Sequence, residues 1–127
     1  MRKRVLKHIF RFTGFFQSMW LALNGIGYLF LYHRNMRIIF IAGAVAMLLG
    51  VILRLEGLEL VALCLTITLV FIAEIFNTAV ELMIDMFTRK NHPLIKLVKD
   101  IAAAVVLIAS LNALAVGFIL FMRRILR

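Results

Sequence analysis

Three long apolar segments constrain this chain more than any other feature of its sequence. They lie within residues 38–53, 58–87 and 101–122. A bilayer core about 30 Å thick needs roughly 20 mainly apolar residues in helical form. Only helices and closed barrels satisfy every backbone polar group inside lipid. The segments therefore predict three membrane helices at about 38–55, 58–87 and 101–122, the first extended by its flanking residues.

The composition excludes a soluble bundle. Hydrophobic residues make up 65% of the 127-residue chain, and its mean hydropathy is +1.06. Soluble domains contain roughly 45–50% apolar residues, and a small domain leaves much of its surface in water. We therefore expect an all-α integral membrane protein. A chain of this length is expected to form one domain, residues 1–127.

The charge is strongly basic, with 15 Lys and Arg against 6 Asp and Glu. Nucleic-acid binding would require these charges on a soluble fold. Here they flank apolar segments, so the expected partner is an anionic phospholipid surface and not nucleic acid. Segments 1–37 and 88–100 hold 11 of the 15 basic residues, which favours a cytoplasmic N-terminus. Three charged residues mark a tight turn and are interpreted as solvated loop charges: Arg54, Glu56 and Glu59.

The N-terminal segment, residues 1–35, has apolar residues at helical spacing and basic residues near its start. Such a pattern is typical of an amphipathic helix that lies in the membrane interface. Gly25 and Gly27 are expected to break this helix into two pieces. An alternative is that residues 12–32 span the bilayer as a fourth membrane helix, since they contain no Asp, Glu, Lys or Arg.

The second predicted membrane helix carries a stripe of polar residues. Their spacings of 3, 4 and 4 place them on one helical face, and the stripe consists of Glu74, Asn77, Glu81 and Asp85. Ionisable residues at membrane depth are costly and indicate a functional site. A helix that enters the bilayer near residue 60 would bring Glu74 just inside the far interface. A lipid headgroup and a water-soluble phosphate donor can meet at that depth.

Paired carboxylates in this arrangement suit phosphoryl transfer. One of Glu74 and Glu81 can bind a divalent cation that shields phosphates, while the other can accept a proton from a hydroxyl group. Asn77 lies between them and can orient either. Lys99 offers a positive charge to a transferring phosphoryl group, and Asp100 a further acceptor. A structural alternative is that these carboxylates pair with basic residues and only hold helices together, as Asp85 could do with nearby Arg89.

Two stretches of this site carry a family resemblance. The sequence AEIFNTAVELMID at 73–85 is followed by HPLIKLVKDIAAAVVL at 92–107, with SMWLALNGI at 18–26 and RNMR at 34–37 upstream. This combination resembles the bacterial integral-membrane diacylglycerol and undecaprenol kinase family over nearly the whole chain. The resemblance implies a homotrimer of three-span subunits in the bacterial inner membrane, with sites at the cytoplasmic interface shared between subunits.

The resemblance also implies a reaction and a role for each site residue. The family transfers the γ-phosphate of MgATP to the hydroxyl group of a membrane lipid, here diacylglycerol or undecaprenol. Glu74 resembles the catalytic base, and Glu81 a ligand of Mg²⁺. Residues that would support the site or contact the nucleotide are Asn77, Lys90, Asn91, His92, Lys99 and Asp100.

One position departs from the family pattern. Just before RNMR the family usually has a glutamate that binds a second metal ion, whereas this chain has His33. His33 is therefore predicted as a metal ligand softer than Mg²⁺ prefers. Two alternatives stay open. One is a catalytically impaired homologue that acts as a membrane partner subunit, and the other is a small proton-coupled transporter that uses Glu74 as its relay.

Overall fold

The computed structural model of the chain describes residues 13–87 and 92–126. The described residues form four helices, and no strand occurs among them, which confirms the predicted all-α fold class. The helices are α1 (Thr13–Tyr32), α2 (Arg34–Ile52), α3 (Leu58–Phe87) and α4 (Pro93–Ile125). The first 12 residues of the predicted surface helix, and the predicted nucleotide contacts Lys90 and Asn91, lie outside the described residues.

The chain divides into two compact units, residues 1–34 and 35–127. In the first unit, α1 continues without interruption through Gly25 and Gly27, so the predicted break there is wrong. A Cβ atom added at either glycine would meet nothing within 4 Å. Glycine costs about 1 kcal/mol relative to alanine inside a helix, which weakens this helix without ending it.

Three of the described helices are long and apolar enough to cross a membrane: α2, α3 and α4. The helix α1 is not among them, which agrees with the prediction of three membrane helices over the alternative of four. The bounds of α3 are those predicted. The helix α2 begins at Arg34 rather than near residue 38, and α4 begins at Pro93 rather than near 101. Lys99 and Asp100 therefore lie on the second turn of α4.

Within the second unit, α3 and α4 pack against each other as an antiparallel pair, and α2 lies against α3. Gly50 of α2 allows a close approach, because a Cβ atom there would come within 2.8 Å of the Leu63 side chain. A buried apolar cluster lies beside the turn between α2 and α3 and consists of Leu55, Leu63 and Leu120. An apolar groove of about 930 Å³ runs between the three helices and is lined in part by Ala113 and Gly117.

An ion pair joins the start of α3 to the end of α4. Glu59 Oε2 accepts hydrogen bonds from Arg124 Nε at 3.0 Å and Nη2 at 2.7 Å. Arg123 Nη1 lies 3.8 Å from the other carboxylate oxygen. The Glu59 and Arg124 side chains are only 19% and 25% exposed. The interpretation of Glu59 as a solvated turn charge is therefore wrong, because the folded hairpin brings the arginines at the C-terminal end of α4 to it.

We predict that Glu59→Gln destabilises the α3–α4 pair. The amide keeps the size of the side chain but leaves the Arg124 guanidinium without its carboxylate, and hydrogen bonds to charged groups contribute about 1.5–3 kcal/mol. Thermal unfolding in detergent should show a lower midpoint. Glu56→Gln is the matched control, since Glu56 is exposed. Equal midpoints for the two variants would contradict a stabilising role for this ion pair.

Candidate active site

The polar stripe of α3 is buried at its centre and exposed at its end. Glu74 is 3% exposed and Asn77 is 7% exposed, whereas the Asp85 side chain is 65% exposed. Glu81 lies between them and is partly buried. Because the side chains recur at helical spacing, they form one face that leads from a buried carboxylate to solvent. Burial of a carboxylate is costly unless other groups compensate its charge.

Glu74 has no such compensation within the described part of the chain. No hydrogen bond or ion pair to a described residue reaches its carboxylate, and the same residues include no ion-pair partner for Glu81. The structural alternative, in which the carboxylates pair with basic side chains, is therefore not what the described residues show for Glu74 and Glu81. Asp85 does form an ion pair of this kind, with Lys99. The predicted partner Arg89 lies outside the described residues.

Asn77 presents a buried oxygen to this face. Its Nδ2 donates a hydrogen bond to Glu81 Oε1 at 3.3 Å. Its Oδ1 is buried and accepts no hydrogen bond from any described residue. A buried polar atom without a partner costs about 1–3 kcal/mol and needs an explanation in a native structure. A ligand that supplies a donor or a cation to this oxygen would provide one.

The exposed end of the stripe contacts α4. Lys99 Nζ lies 2.8 Å from Asp85 Oδ1, with side-chain exposures of 40% and 65%. Asp100, the next residue, is exposed. The structure thus brings Lys99 to the stripe, as the phosphoryl-transfer hypothesis requires. The sequence predicts Asp85 as a member of the stripe but gives it no specific role. In the structure, the helix that starts at Pro93 places Lys99 opposite the last turns of α3, where it pairs with Asp85.

His92 forms the N-terminal cap of α4. Its Nδ1 accepts a hydrogen bond from the backbone N–H of Leu94 at 3.2 Å, and its carbonyl oxygen accepts from Ile95 and Lys96. Pro93 follows as the first helical residue, where the fixed φ of proline and its missing N–H are tolerated. The cap explains why α4 begins at Pro93, before the charged residues Lys99 and Asp100 rather than after them.

His33 lies between α1 and α2, in the first unit of the chain. Its backbone N–H donates to the carbonyl oxygen of Leu29 at 2.9 Å, and its ring centroid is 5.9 Å from that of Tyr28. Among the described residues, no three His, Cys, Asp or Glu side chains converge as a metal site. Mg²⁺ typically takes only one or two carboxylates together with phosphate oxygens. The Glu81 carboxylate, which has no ion-pair partner among the described residues, fits that donor set.

Three membrane-length helices and a buried carboxylate stripe that ends beside a lysine define a multi-pass integral membrane protein with an ionisable site in its helices. The family model for prokaryotic diacylglycerol kinase matches residues 20–121. The chain therefore belongs to this family, and the predicted family resemblance is confirmed.

Two curated relatives are similar to this chain. A diacylglycerol kinase from Synechocystis is 38% identical over 97 residues, which are 76% of this chain and 55% of that protein. The chain thus spans about half the length of this relative. An undecaprenol kinase from Bacillus subtilis is 31% identical over 111 residues, 87% of this chain and 90% of that protein. The names of the two relatives specify different lipid acceptors.

We predict that His92→Ala destabilises the start of α4 while His92→Asn does not. Asparagine is a favoured N-cap residue and can accept the same backbone hydrogen bond, whereas loss of a side-chain cap costs about 1 kcal/mol. Thermal unfolding in detergent measures the capping role. The Michaelis constant for ATP tests the predicted contact between His92 and the nucleotide. It should differ from that of the parent in both variants, because neither alanine nor asparagine reproduces the imidazole ring. If both variants unfold like the parent, the cap contributes nothing to stability.

Proposed function

We propose that this protein transfers the γ-phosphate of MgATP to the hydroxyl group of a membrane lipid, diacylglycerol or undecaprenol, at the cytoplasmic membrane surface. One observation carries the proposal: in a chain of this kinase family, the Glu74 carboxylate is buried on α3 without a described ion-pair partner. A carboxylate that no cation neutralises is available as a proton acceptor.

In the proposed reaction, Glu74 accepts the proton of the lipid hydroxyl group as that oxygen attacks the γ-phosphorus. The new bond joins the lipid oxygen to phosphorus, and the bond between phosphorus and the β,γ-bridging oxygen breaks. ADP leaves with that oxygen, and Glu74 later releases its proton to water. General-base catalysis of this kind contributes about 10²–10⁴-fold to the rate.

The nucleotide would bind at the exposed end of the stripe. Glu81 would offer its carboxylate to the Mg²⁺ that accompanies ATP, and Asn77, whose Nδ2 donates a hydrogen bond to Glu81 Oε1, would orient that carboxylate. Lys99 offers a positive charge to the phosphates. Residues 90–92 and Asp100 would contact the remainder of the nucleotide. This division keeps the proton acceptor in the buried part of the stripe and the ionic substrate in the exposed part.

The location and assembly of the enzyme form part of the same proposal. We place it in the bacterial inner membrane with its N-terminus cytoplasmic, where the basic segments face anionic phospholipids. This orientation puts the end of α3, the start of α2 and the start of α4 on the cytoplasmic side. A homotrimer with sites shared between subunits follows the family resemblance.

A proton-coupled transporter is less well supported than a kinase by the position of Glu74. This residue lies 16 positions after Leu58, or about 24 Å along α3, beyond the centre of a bilayer about 30 Å thick. A relay in a transporter would be expected near the middle of the membrane and would not need the lysine on α4. The catalytically impaired alternative is decided by an assay of lipid phosphorylation.

We predict that Glu74→Gln lowers lipid phosphorylation by about 10²–10⁴-fold while nucleotide binding is retained, because only the proton acceptor is removed. The assay uses purified protein in lipid vesicles, radiolabelled ATP, and diacylglycerol and undecaprenol as separate acceptors. Glu56→Gln makes the same chemical change at an exposed position and should retain activity. Near-normal turnover by Glu74→Gln would exclude it as the base, and a parent protein inactive on both lipids would contradict the kinase proposal.

We predict that Glu81→Gln raises the Mg²⁺ concentration needed for nucleotide binding. The amide can still accept the hydrogen bond from Asn77, so the change isolates the loss of charge. Binding of a non-hydrolysable ATP analogue is measured across a Mg²⁺ titration, with His33→Ala tested in parallel for its predicted metal role. A titration of either variant that superimposes on that of the parent would remove that residue from the metal site.

A further inference from the structure

Lys99 faces two carboxylates of α3 but pairs with only one of them. Its ammonium group lies 2.8 Å from Asp85 Oδ1. The carboxylate of Glu81, one helical turn before Asp85, also acts electrostatically on Lys99. No direct ion pair joins Lys99 to Glu81 within the described residues. The observed arrangement therefore leaves the inner carboxylate free of the lysine.

Glu81 is engaged in a weaker and neutral contact. Its Oε1 accepts a hydrogen bond from the Asn77 amide at 3.3 Å, which orients the carboxylate without cancelling its charge. A lysine has a flexible four-carbon stem and three donors, so its ammonium group can reach any carboxylate nearby. Asp85 and Glu81 thus compete for one cation, and in the structure Asp85 holds it.

We propose that Asp85 is a positioning residue that holds Lys99 away from Glu81 and so keeps the Glu81 carboxylate available to Mg²⁺. The inference rests on the proposed function, in which Glu81 binds the metal ion that accompanies ATP. It gives Asp85 a role through Lys99 and not through contact with the substrate.

The size of the effect follows from the exposure of the pair. Ion pairs between exposed side chains are weak, so competition between Lys99 and Mg²⁺ for Glu81 should change metal affinity only several-fold. If Asp85 loses its charge, the Glu81 carboxylate, which also attracts the Lys99 ammonium group, remains as a competing partner on α3. Mg²⁺ must then displace Lys99 before it binds, and high Mg²⁺ concentrations should overcome the competition.

The test is Asp85→Asn, which keeps the shape of the side chain and removes its charge. Binding of adenosine 5′-(β,γ-imido)triphosphate is measured by calorimetry across a Mg²⁺ titration, so that the result does not depend on turnover. We expect the half-saturating Mg²⁺ concentration to rise by about two- to fivefold. Nucleotide affinity at saturating Mg²⁺ should change by less than twofold, and Asp85→Glu should restore the parent titration.

The double variant Asp85→Asn/Lys99→Gln tests whether the effect passes through the lysine. With the ammonium group absent, removal of the Asp85 charge should no longer raise the Mg²⁺ requirement, relative to Lys99→Gln alone. The inference is overturned if Asp85→Asn leaves the titration unchanged, or if it raises the requirement equally in both backgrounds, because Asp85 would then contact the metal itself.

Glu81→Gln in the same titration separates this inference from the function on which it rests. If Glu81→Gln raises the Mg²⁺ requirement and Asp85→Asn does not, the metal role of Glu81 stands and the positioning role of Asp85 fails. If Glu81→Gln has no effect, the proposed metal role fails, and the positioning role of Asp85 fails with it.

Discussion

The burial of a carboxylate on an apolar membrane helix is the constraint on which the rest of this structure depends. Glu74 is 3% exposed and has no ion-pair partner among the described residues, so no neighbouring described side chain neutralises its carboxylate. Burial of a carboxylate reduces stability unless other groups compensate its charge, and an ionisable residue at membrane depth therefore indicates a functional site. The adjacent Asn77 adds a second unfavourable feature, a buried oxygen atom without a hydrogen-bond donor among the described residues. Because Glu74 and Asn77 lie on consecutive turns, this face of α3 concentrates polar atoms that the described residues leave without a partner.

The two ends of the α3–α4 pair hold this face in register. Glu59 and Arg124 join the start of α3 to the end of α4 through two hydrogen bonds to one carboxylate oxygen. Asp85 and Lys99 join the end of α3 to the start of α4. The pairs differ in exposure, and exposure decides what each can do. The Glu59–Arg124 pair is largely shielded from water and suits a structural role, whereas the Asp85–Lys99 pair is exposed and therefore weak.

Hydropathy and spacing alone could predict much of the fold and the members of the stripe. The bounds of α3 follow directly from where its apolar pattern begins and ends. The start of α4 does not, because hydropathy places it after Lys99, whereas the cap formed by His92 and Pro93 starts the helix within a charged segment. Helical spacing places Glu74, Asn77 and Glu81 on one face, but the burial of Glu74 and the unpartnered oxygen of Asn77 depend on contacts between helices. The role of Glu59 was misjudged for the same reason, since Arg124 is distant from it in sequence.

The gradient of exposure along the stripe explains why a lipid kinase suits this geometry better than a relay across the membrane. From Glu74 to Asp85 the stripe covers 11 residues, or about 16 Å of helix, and exposure rises from 3% to 65%. A proton relay needs polar groups that continue across the apolar core. Phosphorylation of a lipid instead needs one buried group beside the lipid hydroxyl and one exposed group beside a nucleotide that cannot enter the bilayer. A single helical face that passes from a buried carboxylate to an exposed one within about three turns fits this division.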